Sequence, residues 1–392
     1  MSDRKKVILR APVLSRSGYG THARQIAKYL FDKHRQNEIE LYVRVVPWGI
    51  TPWLINKNAQ NGFIGDLMGR TMEYDGPFDV SVQLQLPNEW DPKLAKINIG
   101  VTAGVETDRC NPEWIKALDA MDGVIVPTEF IRQCFLNSGS ETTDITVIPE
   151  SYNPSIAACD EPLPIEISTD FNFLIFGQLT GNNKDNDRKN IFHTVRWLCE
   201  EFADDKDVGI ILKTNMGRST KIDRQVVLNT FTQIIKEIRK TEFPKIHMLH
   251  GDMSDDELAK LYRHKSLKAF VLLSRGEGFC LPMLDAAASG LPVIATNHSG
   301  YLDFMNKGRF IKIDYALNKL HKTRVDKNIF MPEAKWAEAN EQDFKKKIRK
   351  FKNSNRIPTE WAAKLKKDIV ISHSHDSISK IYDSFFMELF KC

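Results

Sequence analysis

The chain has 392 residues, of which 42% are hydrophobic, and its 55 basic and 51 acidic side chains give a net charge of +4. This length exceeds what one hydrophobic core usually holds, so about two domains are expected, and so mild a charge neither requires nor excludes a polyanionic partner. The six cysteines lack metal-site spacing, and no run of eighteen apolar residues indicates a membrane span. A cytoplasmic protein with reduced thiols is therefore expected, and its oligomeric state is left open.

Apolar and amphipathic stretches alternate through the first 155 residues. Strands are predicted at 7–13, 39–46, 80–84, 97–101 and 123–127, and helices at 21–31 and 112–121. This alternation is typical of a mostly parallel sheet. Asp108 or Asn111 is positioned to cap the helix that begins at residue 112.

A glycine loop follows the first predicted strand. Gly18, Gly20 and Ala23 satisfy the dinucleotide-binding pattern G-x-G-x-x-A between a strand and a helix. The second strand ends without the carboxylate that would hold a ribose, and Arg44 there suits a 2′-phosphate instead. An NADP-dependent oxidoreductase therefore stays open, as does a tight turn with no ligand.

A second series of strands and helices follows a polar segment, 156–170, that is predicted to be a hinge. In it, strands are predicted at 173–176, 208–214 and 246–250, and helices at 190–202, 223–240 and 255–263. Ser254 and Glu257 form a capping box for the last of these helices. The Lys-rich chain after Asp314 is predicted to be helical, and a terminal helix is predicted at 377–392.

The segment 269–300 carries the most chemical information. A strand at 269–273 leads into Gly276, Glu277 and Gly278, then a helix at 281–289, and then a strand at 291–295. A strand that feeds a glycine turn and a helix N-terminus presents free N–H groups to one point, which suits a phosphate. Asp285 lies eight residues after Glu277, so both carboxylates are expected to face one ligand from different depths.

This segment resembles the signature of the retaining group 1 glycosyltransferases. The matching residues are Glu277-Gly278-Phe279-Cys280-Leu281-Pro282, then Asp285, then Gly290-Leu291-Pro292-Val293-Ile294 and Ser299-Gly300. The family usually has Gly where Cys280 stands and Glu where Asp285 stands. The resemblance implies an α/β fold of GT-B architecture, with two Rossmann-like domains facing each other across a cleft. Residues 1–155 would form the acceptor-side domain, on which the terminal helix packs back, and 171–376 the donor domain.

The resemblance also implies roles for individual residues. Lys189 and Arg188 would hold the donor diphosphate, although Gln178 stands where the family usually has Arg. Glu277 would hold sugar hydroxyls, and Glu106 would orient or deprotonate the acceptor hydroxyl. The residues expected to contact or approach the donor are Gly18, Gly20, Gln178, Met253, Gly278, Phe279, Cys280, Leu281 and Asp285, with Met253 near the base and Asp285 at the ribose.

These residues predict a glycosyltransferase that takes a sugar from a nucleotide diphosphate sugar without a metal or other cofactor. The acceptor would be a saccharide, a lipid-linked glycan or modified DNA. Asp185-Asn186-Asp187 and His373 to Asp376 are interpreted as a solvated loop and a capping turn rather than metal sites.

Three alternatives remain. One is a phage-type transferase acting on a hydroxymethylated base in DNA, with Lys307, Arg309, Lys312 and 319–327 lining a groove. The others are an inactive nucleotide-sugar-binding relative and the NADP-dependent oxidoreductase.

Overall fold

Strands and helices alternate along most of the chain. The computed structural model describes residues 4–71, 74–140, 144–181 and 183–391. The strands are β1 (Lys5–Ala11), β2 (Ile39–Val45), β3 (Val80–Leu84), β4 (Ile97–Val101), β5 (Gly123–Val126), β6 (Ile145–Val147), β7 (Phe171–Phe176), β8 (Val208–Thr214), β9 (Lys245–His250), β10 (Leu267–Leu272), β11 (Val293–Thr296), β12 (Ile311–Ile313), β13 (Tyr315–Lys319) and β14 (Lys335–Ala339). The helices are α1 (Gly18–Arg35), α2 (Phe63–Gly69), α3 (Pro112–Asp119), α4 (Glu129–Asn137), α5 (Ser155–Ala158), α6 (Ile191–Glu201), α7 (Lys221–Ile238), α8 (Asp255–Tyr262), α9 (Leu281–Ser289), α10 (Leu302–Met305), α11 (Glu341–Asn353), α12 (Arg356–Ser372) and α13 (His375–Phe386).

Contacts divide the described chain into two units. The first contains 4–105, 109–151 and 375–391, and the second contains 106–108 and 152–374. The short segment with Glu106 therefore belongs with the second unit, as does the predicted hinge, 156–170. In that hinge, Leu163 N–H donates to Lys260 O at 2.9 Å, and Arg263 donates to Ile156 O at 2.6 Å.

The first unit is built on a six-stranded parallel sheet in the order β2-β1-β3-β4-β5-β6. Strands β3, β4 and β5 are almost wholly buried on both faces, as expected of a parallel sheet covered by helices. In α13, Ile378, Tyr382 and Phe386 are buried in the same core as these strands. Asn111 caps α3 by accepting the Glu113 N–H at 3.0 Å.

The second unit has its own six-stranded parallel sheet, in the order β12-β11-β10-β7-β8-β9. The strand order reverses between β7 and β10, and in such sheets ligands bind beyond the carboxyl ends of the strands at that point. The loops that leave β7 and β10 carry Lys189 and Glu277, so the topology brings these two side chains together. The expected α/β fold with two Rossmann-like units is confirmed.

One element differs from the sequence-based expectation. The helix predicted after Asp314 is wrong for residues 315–339, where β13 and β14 form an antiparallel hairpin. Trp336 on β14 is buried, and Ala337 N–H donates to the main chain of Arg275 at 2.9 Å. This long-range bond fixes an extended strand that local composition does not reveal. Among the described helices, none is both long and apolar enough to span a bilayer.

Candidate functional site

The turn between β10 and α9 has the strand–turn–helix form predicted from the glycines. Gly290 ends α9 in the left-handed conformation with φ +83°, and Cys280 precedes the helix with φ +86°. A φ in this range favours glycine, which explains why the family usually has Gly at the position that Cys280 occupies in this chain. In the first turn of α9, Pro282 has no N–H, and the Met283 and Leu284 N–H groups donate to Cys280 O at 3.1 and 3.2 Å.

The main chain of Glu277 is held by the second signature loop. The Ser299 hydroxyl donates to Glu277 O at 2.8 Å and accepts the Glu277 N–H, and Gly300 N–H donates to the same carbonyl at 3.0 Å. These bonds explain why the Glu-Gly-Phe motif and the later Ser-Gly motif belong to one signature. They fix the turn through main-chain atoms, independently of the carboxylate.

The carboxylate of Glu277 is buried, with 4% of the residue exposed, and is paired with two cations. Lys189 Nζ donates to both of its oxygens at 2.7 Å, and Arg188 approaches Oε2 at 3.3 Å. Burial by itself raises the pKa of Glu277, but the attraction of Lys189 and Arg188 outweighs it and lowers that pKa to about 2. The site therefore holds an ionised carboxylate at neutral pH.

Arg188 connects this pair to Glu106. Its guanidinium donates to Gly276 O at 2.6 Å and lies 3.1 Å from the Glu106 carboxylate. The short segment 106–108 is further fixed by Asp108, whose N–H donates to Lys335 O at 3.1 Å and whose Oδ1 accepts the Lys335 N–H at 2.6 Å. The structure thus brings together Glu277, Lys189, Arg188 and Glu106, the four residues predicted to be catalytic.

The loop that carries Lys189 is held by Asp187. This carboxylate is fully buried, and it accepts the Thr180 N–H at 3.1 Å, the Thr180 hydroxyl at 2.9 Å and the Ile191 N–H at 2.7 Å. The interpretation of 185–187 as a solvated loop is therefore wrong for Asn186 and Asp187, which are both buried. Asp187 stabilises the start of α6 because it satisfies N–H groups there. Gln178, in the same loop, is exposed.

Arg275 is a site residue that the sequence did not indicate. It is 2% exposed, and it donates to Lys184 O at 2.8 Å, to Asp187 O at 2.7 Å and to the Glu338 carboxylate at 2.7 Å. Its guanidinium also lies 5.0 Å from the ring centre of Trp336. One side chain from the β10–α9 turn therefore fixes the loop that contains Lys189, through partners far away in sequence.

Asp285 lies deeper in α9 and contacts a different segment. Its Oδ1 accepts the Asn153 N–H at 2.8 Å, and burial raises its pKa to about 7 despite that bond. Phe279 is a core residue, packed against Phe304 with ring centres 5.3 Å apart, and Leu281 is the first residue of α9. Gly278 follows Glu277 in the turn.

The loop after β9 contains Met253 and is held by a buried lysine. Lys213 is 2% exposed and donates to Gly251 O at 2.5 Å, while Asn215 Oδ1 accepts the Gly251 N–H at 3.2 Å. Burial lowers the pKa of Lys213 to about 8. The predicted capping box is confirmed, since Ser254 Oγ accepts the Glu257 N–H at 3.2 Å and Glu257 accepts the Ser254 N–H at 2.7 Å.

Gly18 and Gly20 lie in the first unit, where α1 begins at Gly18. Ser17 caps this helix by accepting the Gly20 N–H at 3.0 Å. A Cβ on Gly20 would lie 2.0 Å from Ser15 O, so this glycine is needed for the turn itself. Arg44 lies 3.9 Å from Asp75. Among the described residues, no three His, Cys, Asp or Glu side chains form a group that could hold a metal ion.

Comparisons with known proteins agree with this architecture. Residues 228–320 match the family described as "Glycosyl transferases group 1". No curated protein sequence matches the chain.

Solved structures extend the likeness over the fold. TarM from S. aureus is 17% identical, with a TM-score of 0.52 over 80% of this chain and 55% of its own, and was solved with UDP and alpha-GlcNAc-glycerol. HepE from Anabaena, solved with UDP and glucose, is 12% identical with a TM-score of 0.62 over 98% of this chain and 99% of its own. Sucrose-phosphate synthase from Thermosynechococcus elongatus is 12% identical with a TM-score of 0.64, over 99% of both chains.

The fold is that of the GT-B proteins. The resemblance noted from the signature is confirmed by the match to the group 1 family over residues 228–320. The chain spans about half of the TarM chains that it matches, 55% of their length.

Proposed function

We propose that this chain transfers a sugar from a nucleotide diphosphate sugar to an acceptor hydroxyl, with retention of anomeric configuration. The observation that carries the proposal is the cluster of Lys189, Arg188 and Glu277 at the strand-order reversal of the second unit. The two cations, next to the start of α9, suit the negative diphosphate of a nucleotide sugar. The ionised carboxylate suits the hydroxyl groups of its sugar.

The chemistry follows from how charge moves in the reaction. When the anomeric C–O bond breaks, the sugar ring becomes positive and the departing diphosphate gains negative charge. Lys189, Arg188 and the turn around Cys280 and Leu281 would stabilise that negative charge, the task that a metal ion performs in other enzymes. Glu277, ionised because its pKa is about 2, would accept hydrogen bonds from the sugar hydroxyls. The leaving phosphate would take the acceptor proton on the same face, so no protein nucleophile is needed.

The role proposed for Glu106 differs from the acceptor-side role that the family resemblance implies. The Glu106 carboxylate lies 3.1 Å from the guanidinium of Arg188 and is held by that ion pair. We therefore assign Glu106 to orienting Arg188, in preference to deprotonating the acceptor. Asp285 would hold the ribose, and main-chain groups near Met253 would hold the base.

The donor is proposed to be a UDP-sugar and the acceptor a saccharide. TarM and HepE, which share the fold, were both solved with UDP, and HepE also with glucose. The DNA alternative rests on Lys307, Arg309, Lys312 and the basic residues of 319–327, and one of these, Lys319, is paired with Glu333 at 2.6 Å. We therefore place a saccharide ahead of modified DNA.

A ligand panel tests the donor class. Isothermal titration calorimetry with UDP-, GDP- and ADP-sugars and with NADP should show tight binding of a nucleotide sugar and none of NADP. Tight NADP binding without nucleotide-sugar binding would restore the oxidoreductase. The Lys189→Ala variant should lose binding, while Lys236→Ala, at an exposed position of α7, serves as the matched control.

A product assay tests the reaction. Proton NMR of the product should show the anomeric configuration of the donor, and inversion would refute retention. Absence of both transfer and donor hydrolysis, despite tight binding, would identify an inactive relative.

A further inference from the structure

The loop between β13 and β14, residues 320–334, brings Arg324 against the loop that carries Lys189. It lies almost wholly beyond 228–320, the range that matches the family, and beyond the signature that gave the sequence resemblance. In this loop, Lys322 and Lys327 are exposed, whereas Arg324 is half-buried. A role for this cation in binding the donor diphosphate rests on the proposed function, because only a nucleotide-sugar enzyme has such a donor.

The hairpin loop packs on the loop that carries Lys189. Asn186 Nδ2 donates to Thr323 Oγ1 at 3.2 Å, and the guanidinium of Arg324 donates to Thr180 O at 3.5 Å. The hydroxyl of the same Thr180 accepts the main-chain N–H of Lys189 at 3.3 Å. Arg324 and Lys189 are therefore joined through one residue, which places the arginine at the edge of the cation cluster.

The orientation of Arg324 is fixed by its own loop. Its guanidinium lies 3.9 Å from the ring centre of Phe330, which is itself 3% exposed. Asp326 Oδ1 closes this loop by accepting the N–H groups of residues 328, 329 and 330 at 2.9, 2.7 and 3.0 Å. A stacked and closed arrangement of this kind limits the rotamers open to the arginine before any ligand arrives.

Arg324 differs from the other cations of the site in having no ion pair among the described residues. Lys189 and Arg188 are paired with Glu277, and Arg275 is paired with Glu338. The Nε of Arg324 is buried and has no hydrogen-bond partner in the described part of the chain. Burial first, and then the positive charge of Arg188, lower the pKa of Arg324 from its usual value, while the charges of Glu106, Asp326 and Asp187 act in the opposite direction. An anion that contacts this partly buried guanidinium directly would stabilise it further.

The sequence also lacks one cation that the family usually has. The family resemblance puts an arginine where this chain has Gln178, which is exposed and uncharged. Arg188 does not replace that charge freely, because its guanidinium already contacts Glu106, Glu277 and the carbonyl of Gly276.

We propose that Arg324, delivered by the β13–β14 hairpin, binds the diphosphate of the donor and supplies the positive charge that Gln178 lacks. A guanidinium presents planar, paired N–H donors that match phosphate oxygens. The hairpin is then a part of the donor site that the family signature does not contain.

Calorimetric titration with UDP and with inorganic pyrophosphate tests this assignment. Arg324→Gln should weaken binding of both probes about tenfold or more, the loss expected for one charge-assisted contact. Arg324→Lys, which keeps the charge, should recover part of that loss. Arg309→Gln is the matched control, because Arg309 is exposed beside Trp361 and its loss changes the net charge equally.

Unchanged affinity in Arg324→Gln would overturn the proposal. So would equal losses in the Gln and Lys variants accompanied by a lower melting temperature, since that result means a packing role against Phe330. GDP and ADP are titrated in parallel, because Arg324 is assigned to the diphosphate and not to the base. If the wild-type protein binds no nucleoside diphosphate but binds pyrophosphate through Arg324, the proposed function fails while this anion site stands.

Discussion

Gly276 and Glu106 lie so close together that residue 276 has no room for a side chain. A Cβ on Gly276 would lie 1.9 Å from the carbonyl oxygen of Glu106 and 3.1 Å from its Cβ. The close approach lets Arg188 contact the Gly276 carbonyl and the Glu106 carboxylate together. The glycine before Glu277 is therefore required by packing within the site.

Gly276→Ala should displace the 106–108 segment and weaken the ion pair of Arg188. We expect a loss of stability of about 2 kcal/mol or more, with a large drop in transfer rate, because the obstructing atom belongs to the main chain. Gly177→Ala is the control from the same site, since its Cβ would meet no atom closer than 3.6 Å. Urea unfolding and an assay of sugar transfer measure both variants. Equal behaviour of the two would contradict the requirement for glycine at residue 276.

Lys189 and Glu277 should behave as one unit. Lys189→Met leaves the buried Glu277 with Arg188 alone, and Glu277→Gln leaves the ammonium without its partner, so each should cost about 3 kcal/mol of stability. Each should also reduce transfer about a hundredfold or more. The double variant should lose less stability than the sum of the singles in a double-mutant cycle. Additive losses of stability would show that the two residues do not act as one unit. Wild-type turnover in either single variant would show that the pair is not needed for transfer.

Asp285 gives a pH dependence of stability. Its folded pKa of about 7 is above its ordinary 3.8, so between these values the native state holds a proton that the unfolded state has released. Stability should therefore fall as pH rises from 4 to about 7, by at most on the order of 4 kcal/mol.

Asp285→Asn should remove that fall, because the amide keeps an oxygen for the Asn153 N–H and carries no charge. The variant should thus be more stable than the wild type at pH 8 and nearly equal at pH 4. The exposed Asp160→Asn variant is the control. Urea unfolding at both pH values measures the difference in stability between Asp285→Asn and the wild type. A difference that does not change with pH would refute the shifted pKa of Asp285.

Cys280 offers a matched test of backbone strain. Cys280→Gly and Cys280→Ala both remove the thiol, but only glycine adopts a φ of +86° without a steric cost. The Gly variant should be more stable than the Ala variant by about 1 kcal/mol, as judged from thermal unfolding. The reverse order would show that this turn tolerates a side chain without strain.

Metal removal tests the roles given to Lys189 and Arg188. If these cations stabilise the leaving diphosphate, transfer should proceed at an unchanged rate in EDTA. Activity that is lost in EDTA and returns with manganese would show that a metal ion supplies that charge.

The sequence indicated the parts of the site that depend on local order. Glycines at 276, 278 and 290 indicate turns before and after an Ala-rich stretch, and the helix 281–289 has the predicted bounds. Lys189 could be named because the resemblance expects a lysine that follows a strand and opens a helix. Turns and caps of this kind are determined by neighbouring residues, so local patterns describe them well.

Arg275, Lys213 and Arg324 could not be found in the same way. Arg275 meets Glu338 across 63 residues, and Arg324 meets Thr180 across 144 residues. A charged side chain that is buried by such distant partners looks, in the sequence, like any solvated one. The hairpin at 315–339 escapes local patterns for the same reason, since its strands pair with each other and with the turn after β10.

Ser299 secures the turn at Glu277 through the N–H and C=O groups that every amino acid except proline possesses. These main-chain bonds do not depend on which side chain residue 277 carries, whereas the ion pairs with Lys189 and Arg188 do. A substitution at residue 277 therefore removes the charge interactions of the site while the bonds that hold the turn to the second signature loop remain.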